Sequence, residues 1–537
     1  MKQQWLRYLL IFIALLPVLI LRDFTPDNEL KYLSIADEAI RNGNIFAFYN
    51  HGAAYADKPP LYIWAIMLGK LIFGQHLMFF ISLLSVIPAF ITLSVMGRWC
   101  SRYITANETI NAEMMLVTSV YFLAPVVVLR MDMLMTMFIT LSLYSFYKMY
   151  EYNHSGNSAL GGYYNVADRK YRKLRWLLPL YIFFALFTKG PIGILMPLLS
   201  ITLFLLINGE LRTIGKYLGW RCWTLIGSLC AIWFTCVYLD GGSEYLNNLL
   251  FHQTVNRAVD AFHHKEPFYF YGVSYWFSLA PWSLAAFVAI VLGYCNKFMN
   301  TTLLKFFATI VAGTLVMLSI FSSKLEIYML PCIPFIIYGA AMLLPKVQKS
   351  LWVKISLAIP AILFILVFAA SFFITDIIEI PGIDRILSAL WAPLQLFTAI
   401  LGIGGAAALW FLKRGKTGCC INSIAISLLA MIFCASQSMS KLNTSIGGLE
   451  EGCAKAMEVA KEKNIGNYAY YRFKTADNLD VYLGKELKKL EGNDLENLSG
   501  TILFVKSKYI SRDSLLNKAV QGKEQLVFGK YSIIPFE

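Results

Sequence analysis

The chain of 537 residues is 58% hydrophobic and 15% charged, with a mean hydropathy of +0.57. Lipid is the main solvent of such a chain, which excludes a soluble enzyme, a fibrous protein and a disordered scaffold. Its 47 basic and 33 acidic residues give a formal charge of +14, but most of the excess stands in short loops between apolar runs. Membrane orientation accounts for charge placed there, so it does not call for a nucleic-acid partner.

A spanning helix takes roughly 20 apolar residues, and about thirteen stretches of that kind follow one another along the chain. The first, residues 5–21, has Lys2 and Arg7 at its start and no small-residue cleavage site, which makes it an uncleaved span with its N-terminus in the cytoplasm. A polar loop leads to residues 61–73, an apolar segment that is short, carries Lys70 and is bounded by Gly74. It reads as a helix lying at the interface. Spans are expected at 77–96, 113–129, 133–150, 176–187, 192–207 and 223–239, then at 271–294, 303–321, 328–344, 354–374, 391–412 and 419–435. With this count every dense basic loop, including Arg169, Lys170, Arg172, Lys173 and Arg175, falls on the inner side. The expected architecture is an all-α polytopic bundle over residues 1–436, with outer loops at 23–76 and 240–270. Residues 437–537 form a small outer α/β domain, with helices at 449–463 and 512–520, strands at 468–473 and 501–505, and a packing or docking role. Of ten cysteines only Cys453 lies in that tail, so the tail holds no internal disulfide.

The candidate chemistry lies on the outer side. The first loop contains Pro26-Asp27-Asn28-Glu29 before an amphipathic run, which puts Asp27 at a helix N-cap, and later Asp57-Lys58-Pro59-Pro60. An aspartate there either caps or acts chemically, and the two prolines fix Asp57 and Lys58 at one depth. Arg130 and Asp132 mark one hairpin tip, as a pair or as a working carboxylate. Lys189, in Thr188-Lys189-Gly190-Pro191, stands on the side where basic residues are disfavoured, which suggests an anionic partner in place of simple snorkelling. A further loop carries His252, Arg257, His263, His264 and Lys265, and the last outer turn carries Lys324 and Tyr328. A histidine with a carboxylate could hold a divalent metal. Carboxylates and cations at span ends, above long apolar walls, suit a lipid phosphate held by cations while a carboxylate activates a nucleophile.

Together these motifs resemble the glycosyltransferase family 39 enzymes, in particular the bacterial aminoarabinose (lipid A) transferases and the related protein O-mannosyltransferases. The resemblance runs over roughly residues 1–345 and includes Arg130-Met131-Asp132, Thr188-Lys189-Gly190, the run at His264, and Lys324 to Pro334. It implies a GT-C architecture in the bacterial inner membrane, a polyprenyl-phosphate sugar donor, a glycolipid or protein acceptor, and inverting transfer at the periplasmic face. By position, Asp27 matches the catalytic aspartate and Asp132 a second loop carboxylate. Lys58, Lys189, Arg257, Lys324 and Tyr328 serve the lipid phosphate, and Glu29 and Lys265 are further loop candidates. Asp57, where the aminoarabinose transferases commonly have Glu, would join His264 or His252 in holding a zinc, magnesium or manganese ion. Two other functions suit the same face: a ligase or polymerase of lipid-linked glycans, and a flippase. A flippase predicts ionisable groups near mid-membrane and an internal repeat, whereas here the outer charges cluster at span ends.

Overall fold

Lipid offers no hydrogen-bond partner to a bare backbone, so apolar runs that enter it must close their own bonds as helices. The computed structural model describes residues 2–154, 164–250, 266–373, 384–440, 443 and 448–537. Helices α1 (Lys2–Leu21) and α4 (Met78–Cys100) are long apolar spans. So are α10 (Trp220–Asn247), α13 (Thr302–Ile320), α14 (Ile333–Val347, with the turn before it), α15 (Leu351–Ser371), α16 (Asp384–Lys413) and α17 (Thr417–Ser436). These eight are, among the described residues, long and apolar enough to cross a membrane. Two bent pairs raise the number to ten: α5 (Ala106–Val117) with α6 (Val120–Val127), bent by 64°, and α11 (Phe270–Ser278) with α12 (Ser283–Cys295), bent by 114°. The two breaks hold each other. Val120 N donates to Ala280 O at 3.0 Å, and the Trp282 indole donates to Thr118 Oγ1 at 2.9 Å. Helices α7 (Met131–His154), α8 (Tyr164–Lys189) and α9 (Ile192–Ile207) are shorter or more polar but pack against one another in the same bundle. With them, each anticipated span coincides with a helix or a bent pair.

In the bundle core, Trp99 is surrounded by the rings of Tyr144, Tyr147, Phe306, Phe307 and Phe335, with centroids 5.2–6.1 Å away. At the end of the bundle near Arg7, Glu113 is buried, accepting from Arg7 at 2.8 Å and from the Tyr8 hydroxyl at 3.0 Å. A buried charge needs such partners.

At the opposite end of the bundle, the first loop and the C-terminal domain form one unit. Helix α2 (Lys31–Asn42) buries Leu33, Ile35, Ala36 and Ala39. These join a hydrophobic core with Cys453, Ala456, Leu479, Leu483, Phe504 and Ile533 of the C-terminal domain. The tail is therefore packed into the first loop, and more of it is strand than the sequence indicates. Its sheet runs β4 (Lys488–Lys489), β3 (Asn467–Tyr471), β5 (Thr501–Lys506), β7 (Tyr531–Phe536), β6 (Leu526–Phe528). Strand β3 is parallel to β4 and β5, and β7 is antiparallel to β5 and β6. Helices α18 (Leu449–Glu462), α19 (Asp480–Leu483) and α20 (Ser514–Val520) cover it. Helix α3 (Leu61–Phe73) packs on α2 and α4 and leaves Leu68, Leu71 and Ile72 exposed.

Polar staples tie this loop down. Asp240, at the outer end of α10, accepts from the backbone amides of Ile45, Phe46 and Ala47 at 2.9, 2.6 and 2.8 Å. The Tyr245 hydroxyl accepts from Phe48 N at 3.0 Å and donates to Tyr55 O at 2.8 Å. Glu38 accepts from His51 N and Gly52 N at 2.7 and 3.0 Å, closing the hairpin of β1 (Tyr49–Asn50) and β2 (Ala53–Ala54).

Candidate active site

Asp27 is not an N-cap. Residues Pro26–Leu30 form one π-type turn ahead of α2, in which Leu30 N reaches back five residues to Thr25 O at 3.0 Å, and no side chain caps it. Such widened turns recur at functional sites. This one brings Asp27 to the wall of a charged chamber of about 210 Å³. Asp27, Asn28, Lys31 and Tyr32 form one wall, and Tyr55, Asp57 and Lys58 come from the end of the loop. Arg130 and Asp132 come from the start of α7, Lys189 from the end of α8, and Tyr328 from the last outer turn. Five segments far apart in sequence thus converge.

Cations predominate. Three carboxylates (Asp27, Asp57, Asp132) face four cations (Lys31, Lys58, Arg130, Lys189). Asp132 is buried, bonded by Lys189, and paired with Arg130 Nε at 3.3 Å. Lys189 Nζ also lies 4.7 Å from the Tyr328 ring centre. Lys31 Nζ lies 4.6 Å from that of Tyr55. An aromatic face holds a cation without adding a negative charge. Burial, and then the negative charge of Asp132, push the Tyr32 phenol up to about 12, so it remains a hydrogen-bond donor at neutral pH. Gly190, at φ +96°, ends α8 in the left-handed region just after Lys189, a conformation that glycine adopts without strain.

The chamber continues into an apolar groove of about 250 Å³ lined by Leu186, Ile192, Leu195, Trp233, Phe234, Leu318 and Phe321. Asp57, Lys58, Lys189 and Tyr328 line both. The junction is therefore charged on one side and greasy on the other.

Lys189, expected to have an anionic partner and to contact the donor phosphate, is bonded to Asp132; Asp132, expected either to pair with Arg130 or to act as a second loop carboxylate, is paired with both cations. Lys324 lines neither cavity: it is buried and donates to Glu266 O at 2.8 Å, fixing the start of the segment that leads into α11. Glu29 lies buried and also lines neither cavity. Arg257, Lys265, His252 and His264 lie outside the described residues. Of the anticipated metal ligands only Asp57 is therefore placed. Among the described residues no three His, Cys, Asp or Glu side chains come close enough to hold an ion. The described residues do not complete a metal site. The sequence reading passed over Lys31, Tyr32 and Tyr55 as site residues; Lys31 stands four residues after Asp27 on the polar side of an amphipathic run, a usable signal.

No family model matches the sequence. The chain is 28% identical over 335 residues to an uncharacterized protein of Aquifex aeolicus (strain VF5), covering 60% of this chain and 61% of that one. It is 24% identical over 323 residues to undecaprenyl phosphate-alpha-4-amino-4-deoxy-L-arabinose arabinosyl transferase 1 of Pseudomonas fluorescens (strain Pf0-1), covering 59% and 53%. The matches thus span less than two thirds of these curated relatives. Crystal structures of ArnT from Cupriavidus metallidurans match almost end to end. The TM-score is 0.75 for ArnT bound to undecaprenyl phosphate and 0.74 for its apo state, each at 16% identity and 99% coverage of this chain, with 97% and 98% of ArnT covered. The chain has the ArnT fold. The GT-C-type bundle with its small C-terminal sheet domain is the architecture expected, and the structural match covers 99% of the chain, beyond the roughly 345 residues that carry the motif resemblance.

Proposed function

We propose that this protein is a glycosyltransferase of the bacterial inner membrane that moves a sugar from a polyprenyl phosphate to an acceptor at the periplasmic face. The observation that carries the reading is the junction at Asp57, Lys58, Lys189 and Tyr328, where a cation-rich chamber opens into an apolar groove. A lipid phosphate is the ligand whose two halves need those two environments side by side. The ArnT of like fold was crystallised with undecaprenyl phosphate, and the Pseudomonas relative is named for a sugar carried on that lipid.

In this mechanism the phosphate lies against Lys58 and Lys189, with the prenyl chain in the groove and the sugar in the chamber. The acceptor oxygen attacks the anomeric carbon from the side of Asp27. The new C–O bond forms as the bond to the phosphate oxygen breaks, so the configuration inverts. Asp27 takes the proton of a hydroxyl acceptor, or orients an acceptor phosphate that is already ionised. Negative charge grows on the departing phosphate, and the surplus of fixed cations stabilises it. Asp132 keeps Lys189 and Arg130 aimed at that position. A divalent ion at Asp57 with His252 or His264 has no step of its own here. Equal metal content in purified wild type and Asp57→Asn would remove it.

The acceptor is lipid A, another glycolipid or a protein; a growing lipid-linked glycan would make the enzyme a ligase or polymerase. Reconstituted protein supplied with undecaprenyl-phosphate aminoarabinose and other polyprenyl-phosphate sugars should release free undecaprenyl phosphate when an acceptor is present, read by mass spectrometry. Movement of intact donor across the vesicle membrane with no release would make the protein a flippase instead.

A further inference from the structure

We propose that Glu29 is a positioning residue that locks the turn bearing Asp27 to the hairpin tip bearing Arg130 and Asp132; the inference rests on the proposed transferase reading for its effect on turnover. Glu29 is buried, 1% exposed. Its carboxylate accepts from Arg22 Nη1 at 2.6 Å and Arg22 Nη2 at 2.5 Å. It also accepts from Thr25 N at 2.6 Å, and from Leu129 N, one hundred residues away, at 2.6 Å. The four donors come from the end of α1, from the residue that opens the Asp27 turn, and from the residue just before Arg130. A single carboxylate therefore joins three segments.

The wiring is specific to a carboxylate. Four donors converge on two oxygens, and both oxygens must accept, because every partner is an N–H. A glutamine would turn one acceptor into an NH₂ facing N–H groups, and an aspartate would fall about one methylene short. Charge-assisted bonds of this length are the strong kind. Since Asp27 lies two residues from Glu29, and Arg130 directly follows Leu129, loosening the carboxylate shifts the two sides of the chamber relative to each other. Of the groove residues, Lys58, Tyr328 and Trp233 come from other segments, and Lys189 meets the hairpin tip through its bond to Asp132. Glu29 should thus govern the catalytic step more than donor binding. A displacement of about 1 Å between reacting groups can cost on the order of a hundredfold in rate.

The test uses the full-length protein in nanodiscs. Glu29→Gln should lower kcat roughly 30- to 100-fold while the affinity for undecaprenyl phosphate changes less than about threefold. Hydrogen exchange should quicken in peptides covering residues 25–30 and 128–132 and stay unchanged in the C-terminal sheet. Arg22→Lys, which keeps the charge but not the fork, should give a smaller kcat loss with the same exchange pattern. If Glu29 acts through Asp27, Glu29→Gln should add little to the loss in an Asp27→Asn background. Unchanged exchange at 128–132 in both variants would overturn the inference whatever the activity. So would losses in kcat and affinity that run in parallel, or full additivity with Asp27→Asn. Wild type that binds no undecaprenyl phosphate would instead sink the transferase reading, and the exchange measurement would still decide the role of Glu29. Should Glu29→Gln fail to fold, Arg22→Lys carries the test alone.

Discussion

At the residue scale the chamber places two carboxylates of the same type in different surroundings. Asp27 lines the cavity beside an asparagine and a lysine, whereas Asp132 is buried between two cations. Asp27→Asn should therefore remove transfer by about 10² to 10⁴ in rate with donor-lipid affinity intact; near-normal turnover would take Asp27 out of the mechanism. Lys189 has a different signature. Lys189→Ala should cost roughly 3–5 kcal/mol in stability, because it leaves a buried carboxylate with only Arg130 beside it. Combining it with Asp132→Asn should recover much of that stability without restoring donor affinity. Thermal melts and lipid-binding curves on the two single variants and the double variant check this, and an affinity that returns with stability would show that Lys189 has no ligand role.

Single elements owe their position to a few polar anchors. The segment after α2 carries little regular structure, yet Asp240 collects three consecutive amides and holds it against α10. Asp240→Asn should loosen residues 44–48 by about 1–3 kcal/mol, seen as faster amide exchange there. Helix α2 is held from the other side by α19. Asp480 is buried and accepts from Ser34 Oγ at 2.9 Å. Burial pushes its carboxyl up to about 6. His51, Asp37 and Arg41 face the same spot, and Asp37 is held below the usual carboxylate range through His76 and Lys70 despite its own burial. A carboxyl whose folded value lies above its unfolded one takes up a proton more readily when folded. Its contribution therefore improves as pH falls through about 6, and is complete below the unfolded value near 3.8. The slope is at most about 1.4 kcal/mol per pH unit. The stability of the outer unit should thus rise from pH 7 to pH 5 more in wild type than in Asp480→Asn, and equal slopes would dismiss the effect.

On the scale of the whole molecule, no described residue of the C-terminal domain lines the chamber, yet its core is continuous with that of the first loop. Ending the chain at Ser438 should bare Leu33, Ile35 and Ala36 and abolish transfer while the bundle still inserts. A truncated protein with wild-type turnover would show that the domain is dispensable. Topology makes a second demand. A cysteine in place of Lys506 should react with an impermeant reagent added outside, and one in place of Arg172 should not. Labelling of both from one side would mean a miscounted span, with residues 61–73 the first suspect.

The sequence by itself determined the bundle and set an expectation for its orientation. Stretches such as 419–435 and 354–374 can satisfy their backbone in lipid only as helices, and basic loops such as 169–175 predict which side they face. It also located the segments of the site, because charges such as Asp57, Asp132 and Lys189 at the outer ends of apolar runs are costly unless used. What each side chain does there was decided by contacts across the fold. Whether Lys189 meets a ligand or Asp132, and whether Glu29 touches Leu129, depend on residues 57 and a hundred positions apart in the chain. No local pattern encodes those distances. The same holds for strand β7 and the core shared by α2 and the C-terminal sheet. Their apolar residues announce burial, but only packing names the partner that buries them.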